Sequence, residues 1–128
     1  MKERDLKILE LSPNRYRELK YFCRQYREKQ SQLRSITELS SPSFGGCGGG
    51  NKTSDRTADT ACRRAQLERD IEIIVQSAIE ADSEIYPYII TNVVDGVAYE
   101  YLDVMCGRRQ FYEARRRFFK ILSDKKGN

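Results

Sequence analysis

The chain has no histidine and no tryptophan in 128 residues. The missing histidine removes the commonest general base, and with it His-based triads, H-E-x-x-H zinc sites and Cys₂His₂ fingers. The four cysteines (Cys23, Cys47, Cys62, Cys106) form no Cys-x-x-Cys pair, so neither a thiolate zinc site nor a dithiol redox motif is present. Free, mostly buried thiols in a reducing compartment are the expectation. Long apolar runs are also missing. None approaches the ~20 residues that a bilayer span needs, and Met1–Glu10 alternates charges with single apolar residues, unlike a secretory signal. Alternating strand patterns and internal repeats are absent too. These absences point to a cytoplasmic, all-α protein that is not an enzyme, uses no cofactor or metal, and does not enter a membrane.

Charge is abundant and unevenly placed. Charged residues make up 33% of the chain and hydrophobic ones 39%, which suits a thin core under a large wet surface. The net charge is only +4. From Cys106 to Lys126, however, eight Lys/Arg stand against Glu113 and Asp124, a net of +6. This stretch more than accounts for the whole excess. A basic stripe confined to one element is the footprint of a surface that meets phosphate.

Ser12-Pro13 opens the first clear helix, Ser as N-cap and Pro at the first helical position. Apolar residues at Tyr16, Leu19, Phe22/Cys23, Tyr26, Leu33 and Ile36 carry it to about Leu39 as one long element. Residues 40–55 read as a flexible linker, with a Ser/Pro cluster followed by Gly45–Gly50 around Cys47. A second long helix runs from about Arg56 to Ala81. Ala58, Ala61 and Ala65 would permit close approach to a neighbour, and Leu67, Ile71, Ile74 and Ala78 form a coiled-coil seam. The expected architecture is a long antiparallel helical hairpin over residues 12–81, followed by a three-helix helix-turn-helix module over 84–126.

Within that module Pro87 starts a helix near Tyr86, and Asp95-Gly96 stops it. A second helix is expected from Val97 to about Met105, with Ala98, Tyr101, Leu102 and Met105 on one face. The last runs from about Gly107 to Ser123. There Phe111, Ala114, Phe118, Ile121 and Leu122 cluster within about one third of a turn. Opposite them fall Arg109, Glu113, Arg116 and Lys120, with Tyr112 at the margin. This is the arrangement a recognition helix needs, anchored on one face and polar on the other. Arg108, Arg109, Tyr112 and Arg116 are the expected base-reading residues. Arg117, Lys120, Lys125 and Lys126 are the expected phosphate contacts. The plain alternative is an amphipathic helix whose charges only keep it soluble.

Several segments together carry a family resemblance: Glu84-Ile-Tyr-Pro-Tyr-Ile-Ile, Asp95-Gly-Val-Ala-Tyr-Glu-Tyr-Leu, Cys106-Gly-Arg, Phe111-Tyr and Arg115-Arg-Arg-Phe-Phe. They resemble the phage and prophage RinA/ArpU-like transcriptional regulators, which have a C-terminal helix-turn-helix similar to region 4 of sigma factors. The likeness covers about 45 residues and extends more loosely through Ala61–Glu80. It implies control of phage transcription in the cytoplasm of a bacterial host. The expected partners are double-stranded DNA and a second copy of the chain, with host RNA polymerase an open candidate. One spacing departs from the pattern: Leu102 stands nine positions before Phe111, closer than helix-turn-helix modules commonly leave. The rival readings are a phage-encoded adaptor or inhibitor that grips a host protein, and a small terminase-like packaging subunit.

Other signals carry less. Gly46–Thr53 nearly spells a P-loop, but Asn51 stands where a Gly is required and no buried strand precedes it. Cys106 precedes a basic helix, where a thiol pKa can fall, although a small turn residue is the simpler role. Tyr16 and Tyr26 are expected in the core. Phe119 points away from the anchoring stripe of its helix and is expected to pack against another helix or subunit, a DNA-facing wedge being the alternative.

Overall fold

The computed structural model describes residues 2–39 and 51–127, all of whose regular structure is helical. The elements are α1 (Glu3–Ile8), α2 (Pro13–Arg24), α3 (Tyr26–Leu39), α4 (Asn51–Ala81), α5 (Tyr86–Asp95), a 3₁₀ turn (Tyr99–Tyr101) and α6 (Arg108–Lys126). No helix of the described residues is long and apolar enough to cross a membrane.

α1 was not legible in the sequence as a helix, and it ends in a Schellman motif. The Leu11 N–H donates to the Leu6 carbonyl at 2.9 Å and the Glu10 N–H to the Lys7 carbonyl at 3.1 Å. Glu10 takes the left-handed conformation at φ 59°. Leu6 and Leu11 both bury their side chains in the core, the apolar contact that accompanies this cap. The sequence lacks the glycine that usually announces such a stop.

α2 begins as expected, with the Ser12 hydroxyl accepting the Arg15 N–H at 3.0 Å and Pro13 in the first turn. The single helix expected to reach Leu39 is instead divided at Gln25 (φ −81°, ψ −3°). Its N–H is shared between the Tyr21 and Phe22 carbonyls at 3.3 Å each, a tightened terminal turn. The break falls where the chain changes packing partner: α2 lies against α5 and α6, whereas α3 lies beside α4. Lys29 ties α3 to α4 through Asp70 at 3.0 Å and sits 4.0 Å from the Phe22 ring centroid.

α4 starts at Asn51, so residues 51–55 of the expected linker are helical. The rest of that linker, with Cys47 and the first part of the P-loop-like string, lies outside the described residues. Of the expected seam, Leu67, Ile74 and Ala78 are buried and Ile71 is half-buried, with Ile74 and Ala78 in the common core rather than in a seam of their own. Ala58 and Ala61 are exposed and Ala65 is half-buried. α5 matches its expected bounds, and Gly96 closes it in the left-handed conformation at φ 72°. The Arg24 guanidinium occupies the space a Cβ at Gly96 would need. The positive φ favours glycine there, while the arginine, a flexible side chain, could move aside.

The helix expected over Val97–Met105 does not form, so the three-helix module has only two helices. Asn92 takes the Val97 carbonyl, the first acceptor such a helix would use, at 2.8 Å, and the Tyr99 hydroxyl donates to the Cys106 carbonyl, just past its expected end, at 2.7 Å. Only a 3₁₀ turn remains, and Leu102 leaves it extended (φ −93°, ψ 137°). β-branched and aromatic residues at Val97, Tyr99, Tyr101 and Val104 have little helix propensity to oppose this. Of the expected inward face, only Leu102 is half-buried. Tyr101 and Met105 are 84% and 94% exposed.

α6 runs three residues further than expected and supplies three of the six buried aromatic residues. Phe111, Ala114, Phe118, Phe119 and Leu122 are fully buried. Burying each Phe side chain stabilises the fold by about 1.5–3 kcal/mol relative to exposing it. Phe119, off the anchoring stripe, packs against Tyr16 of α2 with ring centroids 5.1 Å apart. The wedge alternative therefore falls. One buried cluster draws on every helix from Leu6 to Leu122, so residues 12–81 and 84–126 share a core.

Candidate nucleic-acid interface

The candidate site lies on the N-terminal half of α6, which opens from Gly107 in an extended conformation. Phe111 and Phe118 hold this helix to the core, which fixes the opposite side outward. Arg109 projects there with 92% of its side chain exposed and an i,i+4 contact to Glu113 at 3.2 Å. Arg116 lies two turns on, in the same direction. Arg108 pairs with Glu100 of the 3₁₀ turn and stacks over the Tyr112 ring at 5.4 Å. The Glu100 carboxyl is held below its ordinary range by its own backbone N–H and then by Arg108, and Arg108 is held up by the same hydrogen bond. Tyr112 is fixed edge-on to Phe111 at 5.5 Å and lies 6.4 Å from Tyr99.

Arg108, Tyr112 and Arg116 line one side of a cleft of about 630 Å³. Lys2 and Asp5, from the segment that precedes and forms α1, line it as well, as does Arg115. Four cations against one carboxylate make the cleft electropositive. Arg115 is committed to structure: it donates to Asn92 Oδ1 at 2.7 Å and to the Tyr16 hydroxyl at 3.1 Å, and lies 4.9 Å from the Phe119 ring. It joins α2, α5 and α6. Arg116 is different. Among the described residues, it is the one cation of the eight between Cys106 and Lys126 with no ion-pair, hydrogen-bond or ring partner.

No family model, no curated protein and no solved structure matches the chain. The site is therefore read from its own geometry. The four residues expected to hold phosphate are not gathered on the cleft. Arg117 donates to the Ala81 carbonyl at 3.0 Å and lies 3.9 Å from Asp82, at the end of α4. Lys125 pairs with Glu80 at 2.7 Å. Lys120 lies between Glu10 at 4.0 Å and Asp124 at 3.6 Å. Lys126 stands 3.9 Å from the Phe22 ring centroid. Spacing along α6 indicated a common basic helix, but not that acids just after α1 and at the end of α4 would meet its second half.

Lys2 was not a sequence candidate, because nothing local connects it to α6. Packing of Leu6 and Leu11 into the core brings it there. Cys106 does not take the low pKa of a reactive thiol; burial, and then the nearby Asp82 charge, push it up. Its carbonyl serves the loop by accepting Tyr99.

Proposed function

We propose that the chain is a double-stranded DNA-binding protein that reads sequence with the first half of α6, acting as a phage transcriptional regulator of the kind its C-terminal motifs resemble. The observation that supports this most is the unpartnered Arg116 beside Lys2 and Arg108 in an electropositive cleft. An arginine with no internal partner retains its full set of donors for guanine O6/N7 or phosphate. Arg109, two turns back on the same face, is the most exposed cation of the set. Tyr112 and Arg108 complete the reading group. A homodimer with two such surfaces fits the reading, since one short helix covers little DNA.

The deciding experiment selects bound sequences from a random duplex library and measures salt-titrated affinity for selected and scrambled duplexes. Arg109→Ala and Arg116→Ala should each cost about 1–3 kcal/mol on the selected duplex and relax preference at one or two positions. An unchanged ratio of specific to non-specific affinity in both variants overturns the reading. The adaptor reading draws on a different feature, the exposed Tyr101 and Met105 of the loop before α6. It prevails if duplex is not retained at low salt and Met105→Asp abolishes capture of a host protein.

A further inference from the structure

We propose that the outer face of α2 is a second phosphate-contacting surface, carrying the backbone of a bound duplex away from the α6 cleft; this rests on the DNA-binding reading above. Arg17, Lys20, Tyr21 and Arg24 stand at i, i+3, i+4 and i+7, one continuous face of a helix. All four are exposed, Tyr21 at 69%, and together they line a depression of about 520 Å³. The opposite face carries Tyr16, Leu19, Phe22 and Cys23 into the core, so packing fixes the basic face outward.

Its charges are available. Among the described residues no carboxylate forms an ion pair with Arg17, Lys20 or Arg24. Glu18 is engaged by Arg15 at 3.0 Å, and Asp95, whose carboxyl also feels the Arg24 charge, is paired with Arg27 at 3.0 Å. Arg17 makes only a neutral contact, to Asn14 Oδ1 at 3.1 Å.

The face is also joined to the cleft. Lys20 Nζ lies 5.4 Å from the centroid of the Tyr16 ring, whose hydroxyl accepts Arg115 of the cleft. One tyrosine therefore stands between Lys20 of this face and Arg115 of the cleft. A cationic track of this kind neutralises phosphate without reading bases, and Tyr21 adds a hydroxyl donor of the sort that commonly positions a backbone.

The test is a salt series of duplex affinity on the full chain, comparing wild type, the triple variant R17Q/K20Q/R24Q and a charge-matched control on α4, R63Q/R64Q/R69Q. The α2 triple should flatten the slope of log affinity against log salt by about three units and lower low-salt affinity about tenfold or more. The control should do neither, and all three proteins should melt together because every altered side chain is exposed. A triple variant indistinguishable from the control overturns the α2 track, while a surviving effect of Arg116→Ala leaves the DNA-binding reading intact. Polyglutamate competing as well as duplex at equal charge assigns the face to an acidic protein and also overturns the track. Wild type that binds no duplex at any salt removes the underlying reading, and the track with it.

Discussion

The Arg117 side chain donates its Nε hydrogen to the Ala81 carbonyl at 3.0 Å, closing the C-terminus of α4 with a residue of α6. Helix C-termini leave carbonyls without partners and carry negative dipole charge, so a guanidinium there satisfies both. Asp82, the next residue, turns the chain into α5 by accepting the Glu84 and Ile85 N–H groups at 2.9 and 3.2 Å. Arg117→Ala should cost about 1 kcal/mol of stability in denaturant melts. Its effect on specific over non-specific DNA affinity should be absent. A variant of wild-type stability with weakened duplex binding would restore Arg117 to the phosphate contacts.

Ser77 lies wholly buried on α4, and its hydroxyl has no hydrogen-bond partner among the described residues. Burying a hydroxyl without compensation is unfavourable by about 1–3 kcal/mol. Ser77→Ala keeps the Cβ, removes the unsatisfied group and favours the helix. The variant should be about 1 kcal/mol more stable, seen as a higher midpoint at unchanged denaturant slope. A destabilised variant would mean that the oxygen has a partner in solution.

Glu10 holds the left-handed position that ends α1, a conformation disfavoured for side chains with a Cβ. Its contact to Lys120 is 4.0 Å with Glu10 84% exposed, and such surface pairs contribute little. Glu10→Gly should therefore stabilise by about 0.5–1 kcal/mol, and Glu10→Val should destabilise. If both variants melt alike, the Schellman closure of α1 is not formed in solution.

Thiol chemistry should separate Cys62 from Cys23. Cys62 is exposed on α4, while Cys23 is fully buried and its pKa is pushed up to about 12 by burial, which outweighs Arg115, Lys29 and Lys126. In a Cys47→Ser background at neutral pH, a maleimide should modify Cys62 within minutes and leave Cys23 untouched until denaturant is added. Labelling of Cys23 at the rate of Cys62 would mean that the core of α2 opens readily.

Much of this could be read from local order. Ser12-Pro13, Pro87 and Gly96 announced helix boundaries because caps and breakers act over three or four residues. The stripe of Phe111, Ala114, Phe118 and Leu122 announced a buried face because side chains one or two turns apart share a side. The aromatic Phe119 was marked for another helix, though not for Tyr16, which lies 103 positions away in the sequence. What local order did not contain was competition for the same groups. The segment after Gly96 has the apolar spacing of a helix, yet Asn92 claims the Val97 carbonyl and Tyr99 ties the segment to the Cys106 carbonyl, and both depend on how α5 and α6 are held.

Charge divided in the same way. Composition alone determined that residues 106–126 are strongly basic, because that requires only counting. Which of those cations remain free is a property of the neighbours that packing brings to them. Glu80 and Ala81 of α4 engage Lys125 and Arg117, Glu10 after α1 approaches Lys120, and the ring of Phe22 meets Lys126. Arg116 keeps its charge uncommitted beside Lys2, more than a hundred residues away along the chain. An ion pair depends on distance through space, which falls off within a few ångströms, and only the tertiary structure sets that distance.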